Sequence, residues 1–178
     1  SISDHCQFGF KEGHSTSLCT SVFKCTVEYY ISRGSHVFTC FIDFSKAFDN
    51  VDYWKLFNKL LDDNIDVRIV KVLAYWYSHQ QLCVCWRSSV STSFTVRNGT
   101  RQGGVLSPLL FNRYIRDLLG LVESSRLGCN IGGMFFNVLA YADDIVLLAP
   151  SWEALQCLIN ILTSAAKAID MSCNTNKT

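Results

Sequence analysis

Residues 138–149 read VLAYADDIVLLA, two apolar runs on either side of a short acidic centre. The runs 134–140 and 145–149 have the apolar, β-branched and aromatic composition of buried strands. Because residues 141–144 separate them, the pattern predicts a hairpin with Asp143 and Asp144 at its tip. A carboxylate beside buried strands is costly unless something neutralises it, so this tip is a candidate functional site.

A second aspartate follows another apolar run. Residues 37–42, VFTCFI, predict a short buried strand that ends at Asp43. If that strand lay beside the hairpin, Asp43 and Asp143 would come close together, and two close carboxylates repel unless a cation lies between them. Mg²⁺ suits such hard oxygen ligands. Two ions could activate an attacking hydroxyl and stabilise a leaving pyrophosphate, which is the chemistry of nucleotidyl transfer.

A simpler interpretation of the same aspartates stays open. Asp is a common N-cap, so Asp43 could cap a following helix. Asp143 and Asp144 could then be no more than the turn between two strands.

The rest of the chain predicts a mixed α and β domain. Apolar residues recur at helical spacing in five segments, and a further hairpin is predicted from 82–86 and 93–96. The predicted helices are 14–33, 53–62, 67–77, 105–122 and 151–169. The sequence has two prolines, and neither an internal repeat nor a low-complexity tract marks a domain boundary.

Composition limits the function classes only weakly. The chain has 178 residues, of which 49% are hydrophobic, so one domain with a real core is expected. A net charge of +1 gives little support for nucleic-acid binding by itself. The nine scattered cysteines contain no C-x-x-C pair and are interpreted as reduced core residues. With neither a membrane-spanning pattern nor a secretory signal, we expect an intracellular protein without a membrane partner.

Four segments together resemble a known family. QFGFK (7–11), FIDFSKAFDNV (41–51), RQGGVLSP (101–108) and YADD (141–144) are similar to ordered motifs of the reverse transcriptases of non-LTR, LINE-like retrotransposons. The first segment resembles the end of the fingers, the second the first catalytic motif, and the last the family signature. A chance match to all four in order is improbable.

The resemblance implies an α+β fold, a right-hand polymerase palm whose antiparallel sheet is backed by helices and whose other face holds substrate, with part of the fingers. It implies that 1–178 is a fragment of a longer polyprotein, without thumb and N-terminal fingers. The activity would be RNA-directed DNA polymerase, a nucleotidyltransferase that extends a DNA primer on an RNA template from deoxynucleoside triphosphates. Two Mg²⁺ ions would serve it, with Mn²⁺ as a substitute. The parent would carry an endonuclease and make DNA in the nucleus.

The resemblance also assigns roles. Asp43 and Asp143 would be the principal metal ligands, with Asp144 a nearby carboxylate. Phe48 matches the position of an aromatic that would clash with a ribose 2′-hydroxyl and so select deoxynucleotides. The alternative is that Phe48 is a core aromatic, because Phe44 and Phe48 also fit one helical face.

The remaining roles concern nucleotide, template and primer. These residues are Phe44, Gln102, Gly103 and Lys177 for the nucleotide, and Lys11, Arg101 and Tyr141 for template or primer. Glycines such as Gly103 let backbone approach a substrate closely, although a helix-entry loop would also use them. Single basic residues are usually surface residues, which is the alternative for the lysines and the arginine. Gly104 stands where the family often has Cys.

Other functions explain the sequence less well. A catalytically degenerate or domesticated nucleic-acid-binding relative would not need Asp43, Asp143, Asp144 and Gln102 intact. An unrelated two-metal phosphohydrolase would explain neither 101–108 nor Phe48. Within polymerases, a group II intron maturase is the nearest competitor. The isolated fragment is expected to bind primer-template poorly and to extend it slowly or not at all.

Overall fold

The computed structural model describes residues 5–11, 13–101 and 103–175, and these residues form a mixture of helices and strands. The helices are α1 (Thr16–Ile31), α2 (Tyr53–Asp62), α3 (Val67–Ser78), α4 (Ser107–Ser124) and α5 (Trp152–Ala168). The strands are β1 (Phe38–Ile42), β2 (Gln81–Leu82), β3 (Cys85–Trp86), β4 (Ser89–Val90), β5 (Phe94–Thr95), β6 (Cys129–Ile131), β7 (Met134–Phe136), β8 (Val138–Tyr141) and β9 (Asp144–Ala149).

The helix starts follow from side-chain caps. Ser15, Asp52, Asp66 and Ser151 each accept a hydrogen bond from a backbone N–H in the first turn of α1, α2, α3 and α5. α4 starts with Pro108 in its first turn, where the missing N–H of proline has no helical partner to lose. All five predicted helices are therefore confirmed, with bounds within two residues of the prediction.

The central sheet has the strand order β1-β9-β8, and both pairings are antiparallel. Ile42 of β1 lies opposite Ile145 of β9, so the end of β1 meets the acidic hairpin. Residues 6–8 run along the other edge, where Phe8 N–H donates to Ala140 O (2.7 Å) and Ala140 N–H to Cys6 O (2.8 Å). The predicted acidic turn between two paired strands and the neighbouring strand that ends at Asp43 are confirmed.

The two faces of the sheet pack against different helices. Val138, Ala140 and Leu147 point into the main core, which is completed by buried residues of α2 to α5. Leu139 and Leu148, on the opposite face, form a smaller cluster with Phe8, Cys129 and partly buried residues of α1. The second face, which the resemblance assigns to substrate, is therefore partly covered by a helix.

The prediction of a single strand over 134–140 was wrong, because the strand is interrupted at Asn137. β7 pairs with β6, which the sequence analysis did not predict, while β8 pairs with β9. The Asn137 side chain is buried and its Nδ2 donates to Val122 O of α4 at 2.8 Å. Gly128 passes so close that a Cβ there would lie 2.5 Å from the Asn137 Cβ. This amide turns the chain away from a continuous strand.

The predicted hairpin from 82–86 and 93–96 is confirmed in outline. It consists of two separate two-residue ladders, β2 with β5 and β3 with β4, and all their residues are exposed. Its strands therefore contribute little to the core.

The cysteines differ in burial, and three of them are half-buried, Cys19, Cys40 and Cys173. Cys6 and Cys129 are buried, and burial raises the pKa of the Cys129 thiol to about 11. Cys25, Cys83, Cys85 and Cys157 are exposed thiols, so the prediction of core positions was wrong for these four. Helical or strand periodicity turns these side chains outward although apolar neighbours surround them in the sequence.

Within the part of the chain that the structure describes, none of the helices has the length and apolar character needed to cross a membrane.

Candidate active site

Two aspartates meet at one end of the central sheet. Asp43 follows β1 directly, and Asp143 lies in the turn between β8 and β9. Both are half-buried and both line one cavity of about 460 Å³, shared with Phe44, Phe48 and Asn174. The structure thus brings together the two carboxylates that the sequence analysis selected as principal metal ligands.

The turn that holds Asp143 is short and has an unusual backbone. Tyr141 pairs with Asp144, so Ala142 and Asp143 alone connect the two strands. Ala142 has φ 57°, in the left-handed region that residues with a Cβ rarely adopt. It is also buried. The tight turn sets the direction of Asp143 at the cavity, and its conformation has to be fixed by neighbouring groups.

Asp43 is fixed by a segment from the other end of the chain. Asn174 N–H donates to Asp43 O at 2.8 Å, and Asn174 Nδ2 donates to Asp43 Oδ2 at 3.1 Å. Next to these bonds, Ser45 N–H donates to Ser172 O at 3.0 Å. Asn174 was not among the residues predicted from the sequence. The available signal was its place three residues before Lys177, which the resemblance assigns to the nucleotide.

Phe48 lies between this cavity and a second one. The second cavity, about 480 Å³, is lined by Phe48, Asp143, Arg101 and Gly103 among others. The Phe48 ring also stacks on Phe111 of α4, with ring centroids 4.3 Å apart and an interplanar angle of 19°. Phe48 is thus partly buried against the core and also lines the site. Both interpretations of Phe48 have a structural basis.

The other candidate residues lie at different places. Phe44 is buried and lines the first cavity, while Arg101 is exposed at the second. Asp144 is exposed at the start of β9 and is not among the residues lining these two cavities. Tyr141 packs against the small cluster of Phe8, Leu139 and Leu148. Gln102 and Lys177 lie outside the described residues.

Lys11 lines a third cavity of about 220 Å³, together with Arg113 and Arg116. Both arginines form ion pairs with Asp63. The structure therefore places Lys11 with a basic cluster on α4 rather than with the two aspartates.

The donor set at the aspartates fits one kind of metal ion. Among the described residues, no three His, Cys, Asp or Glu side chains are grouped to hold an ion. Two carboxylates beside an open cavity match Mg²⁺, which retains waters and takes ligands from substrate phosphates. A closed cage of protein ligands, as at structural zinc sites, would need more donors.

Comparison with known proteins gives consistent results. The family model for reverse transcriptase (RNA-dependent DNA polymerase) matches residues 1–178. The Drosophila melanogaster Pol polyprotein from the type-2 retrotransposable element R2DM is 28% identical over 157 residues, which is 85% of this chain and 15% of the relative. The probable RNA-directed DNA polymerase from transposon BS of the same species is 31% identical over 169 residues, which is 93% of this chain and 18% of the relative. The chain thus spans less than a fifth of these relatives.

Solved structures share the fold. Telomerase from Candida albicans in complex with a fragment of telomeric RNA superposes with a TM-score of 0.75 at 14% identity, covering 99% of this chain and 32% of the telomerase chain. Telomerase from Candida tropicalis gives 0.73 at 11% identity, covering 99% and 30%. At these identities the likeness shows the fold alone, a right-hand polymerase arrangement.

Proposed function

Because the chain belongs to the reverse transcriptase (RNA-dependent DNA polymerase) family, as a domain of the non-LTR retrotransposon type, we propose that it is the catalytic core of a longer protein that copies RNA into DNA. The reaction is nucleotidyl transfer. The primer 3′-hydroxyl attacks the α-phosphate of a deoxynucleoside triphosphate, a new phosphodiester bond forms, and pyrophosphate leaves.

The observation that carries this proposal is the shared cavity of Asp43 and Asp143. Carboxylates at this end of the sheet would hold two Mg²⁺ ions, for which Mn²⁺ could substitute. When bound, these ions would activate the hydroxyl and neutralise charge on the leaving group. Asp144, at the start of β9, would add negative charge beside the site. Asn174 would orient the Asp43 carboxylate through its 3.1 Å hydrogen bond.

The nucleotide would occupy the space between the two cavities. Phe48 and Asp143 line both of them, so the sugar of a nucleotide held there would lie against the Phe48 ring. That ring would exclude a 2′-hydroxyl by contact, because its stacking on Phe111 prevents it from moving aside. Phe44, which is buried and lines the first cavity, is proposed to contact the nucleotide as well. Gly103 allows the backbone to approach the nucleotide, and Gln102 is proposed to contact it.

Template and primer contacts are proposed for basic and aromatic groups around the site. Arg101 is exposed at the second cavity and could pair with phosphate. Lys11 lies in the neighbouring cavity on α4, Tyr141 precedes the turn, and Lys177 is assigned to the triphosphate. The RNA template is supported by the names of the relatives and by the telomeric RNA in the similar telomerase structure. We further propose that the parent protein carries an endonuclease and a thumb and makes DNA in the nucleus.

The test is Mg²⁺-dependent primer extension on an RNA template by the full-length protein that contains this chain. Asp143→Asn keeps the size of the side chain and removes the charge, so we expect the rate to fall on the order of 10³-fold. Asp62→Asn is the matched control, because Asp62 is an exposed carboxylate at the end of α2. Chelation of Mg²⁺ should abolish synthesis by the wild type. If a folded wild type makes no DNA, a binding-only relative is the better description.

The same assay tests Phe48. Phe48→Ala should lower the preference for deoxynucleotides over ribonucleotides by about tenfold or more, measured as a ratio of kcat/KM values. An unchanged preference in a destabilised protein would assign Phe48 to the core alone.

A further inference from the structure

The turn that carries Asp143 adopts a conformation that its own sequence disfavours. Ala142 has φ 57°, and alanine lacks the freedom of glycine in this region. Such a conformation persists only where the surrounding structure determines it. The groups that contact Ala142 therefore determine the direction of Asp143.

A single side chain bonds both polar groups of Ala142. The Ala142 N–H donates to Gln7 Oε1 at 3.1 Å, and Gln7 Nε2 donates to Ala142 O at 3.3 Å. The same Oε1 accepts from Gly9 N–H at 2.8 Å, which fixes the orientation of the amide. Gln7 is only 4% exposed, so water does not compete strongly for these bonds.

The backbone around Gln7 is built for this close approach. A Cβ on Gly9 would lie 2.4 Å from Ala142 N, so a larger residue would push the turn away. Asn112 Nδ2 of α4 donates to Gly9 O at 2.8 Å and so anchors the segment to this helix. Residues 7–9 thus join α4 to the turn.

We propose that Gln7 is a positioning residue for catalysis. Its amide holds the Ala142–Asp143 turn so that the Asp143 carboxylate points into the cavity shared with Asp43. Gln7 contacts neither cavity-lining carboxylate through these bonds and acts through the turn alone. This inference rests on the proposed function, since it assigns a purpose to a fixed Asp143.

The expected effect is large because reacting groups must be placed accurately. A displacement of about 1 Å can lower a rate about 10²-fold. Gln7→Met in the full-length protein keeps the side-chain length and removes the bonds to Ala142. We expect kcat for primer extension to fall roughly ten- to hundredfold, with little change in KM for the deoxynucleotide. The Mg²⁺ concentration that gives half-maximal rate should rise.

A matched control separates positioning from loss of stability. Asn137 is 1% exposed, and its amide bonds Val122 O at the opposite end of β8. Asn137→Leu should also destabilise the protein but should leave the Mg²⁺ requirement unchanged. If both variants change kcat and Mg²⁺ requirement equally, the proposal is overturned.

Hydrogen exchange tests the proposed role of Gln7 without a measurement of enzyme activity. Hydrogen exchange of the Ala142 amide should be faster in Gln7→Met than in wild type, while exchange at the centre of β9 changes much less. Unchanged exchange at Ala142 would overturn the proposal that Gln7 holds this turn. Gln7→Glu retains an oxygen for the Ala142 and Gly9 N–H groups, so it should recover part of the lost kcat.

Two safeguards keep the test decisive. Should Gln7→Met fail to fold, Gln7→Asn takes its place, since it keeps the amide but is one methylene too short to reach Ala142.

The proposed function is tested separately. Synthesis that survives Asp143→Asn would refute the polymerase site, whereas loss in Asp143→Asn with wild-type kinetics in Gln7→Met would refute only the positioning role.

Discussion

Two segments with similar local sequences have opposite environments in this fold. The run 145–149, IVLLA, and the run 82–86, LCVCW, both have strand composition. In the first, Leu147 and Leu148 are fully buried, with strands on both sides and helices above and below. In the second, Trp86 is 73% exposed in a two-residue ladder. Local composition thus sets the backbone conformation, whereas distant pairing decides burial.

This contrast predicts where the stability of the chain resides. The central sheet joins residues from four parts of the sequence, and α4 and α5 pack onto it. The ladders between 81 and 95 pair within their own segment. Substitutions in the sheet should therefore be costly, and matched substitutions in 81–95 should be nearly neutral.

The largest effect is expected at the centre of the sheet. Leu147→Ala should lower the free energy of unfolding by about 2–5 kcal/mol, because it leaves a cavity in the main core between β9 and the helices. Urea denaturation followed by circular dichroism measures it. Val84→Ala, in the exposed segment, is the control and should cost less than about 0.5 kcal/mol. Equal losses of stability in the two variants would contradict the conclusion that stability resides in the central sheet.

A smaller effect is expected where the helices meet beneath the sheet. The Tyr114 hydroxyl donates to Ile169 O at 2.7 Å and accepts from Asp52 N–H at 3.3 Å, so it ties α4 to the ends of α5 and α2. Tyr114→Phe should lower the free energy of unfolding by about 1–2 kcal/mol, since two partly buried backbone groups lose their partner. Thermal and urea unfolding would measure it.

The same residue gives a pH dependence. Burial raises the pKa of Tyr114 to about 12, above the ordinary value of 10.0. The neutral phenol is favoured in the folded state, so its contribution is complete below pH 10 and is lost as pH rises towards 12. The stability advantage of wild type over Tyr114→Phe should shrink across that window. An advantage that stays constant would contradict this account.

The smallest effect is expected at Trp86, which lies in the exposed 81–95 segment. Trp86→Ser removes a large aromatic group, but most of that group is already in solvent. The free energy of unfolding should change by no more than about 0.5 kcal/mol. A loss comparable to that of Leu147→Ala would show that the 81–95 segment is part of the core.

The sequence predicted much of this architecture because strong signals were local. α2 was predicted from 53 to 62 and has those bounds, since Asp52 caps an amphipathic helix. The acidic hairpin was visible in composition alone, and the ordered motifs predicted the family and the palm fold that the comparisons confirm. The roles assigned to individual site residues remain predictions.

Features that depend on distant contacts were not predictable in this way. The division of 134–140 at Asn137 depends on a carbonyl of α4. The bonds of Asn174 to Asp43 and of Gln7 to Ala142 span 131 and 135 positions. The partner of neither amide could be predicted locally, because an isolated Asn or Gln has many possible partners.

These long spans also order events during synthesis on the ribosome. Asp43 leaves the exit tunnel well before Asn174, and at about 5–20 residues per second the interval of 131 positions lasts roughly 7 to 26 seconds. Until β9 emerges, β1 exposes its strand edge and its apolar side chains, which makes the nascent chain a candidate for chaperone binding. The end of the sheet that carries Asp43 and Asp143 is thus completed only after residue 174 has been synthesised.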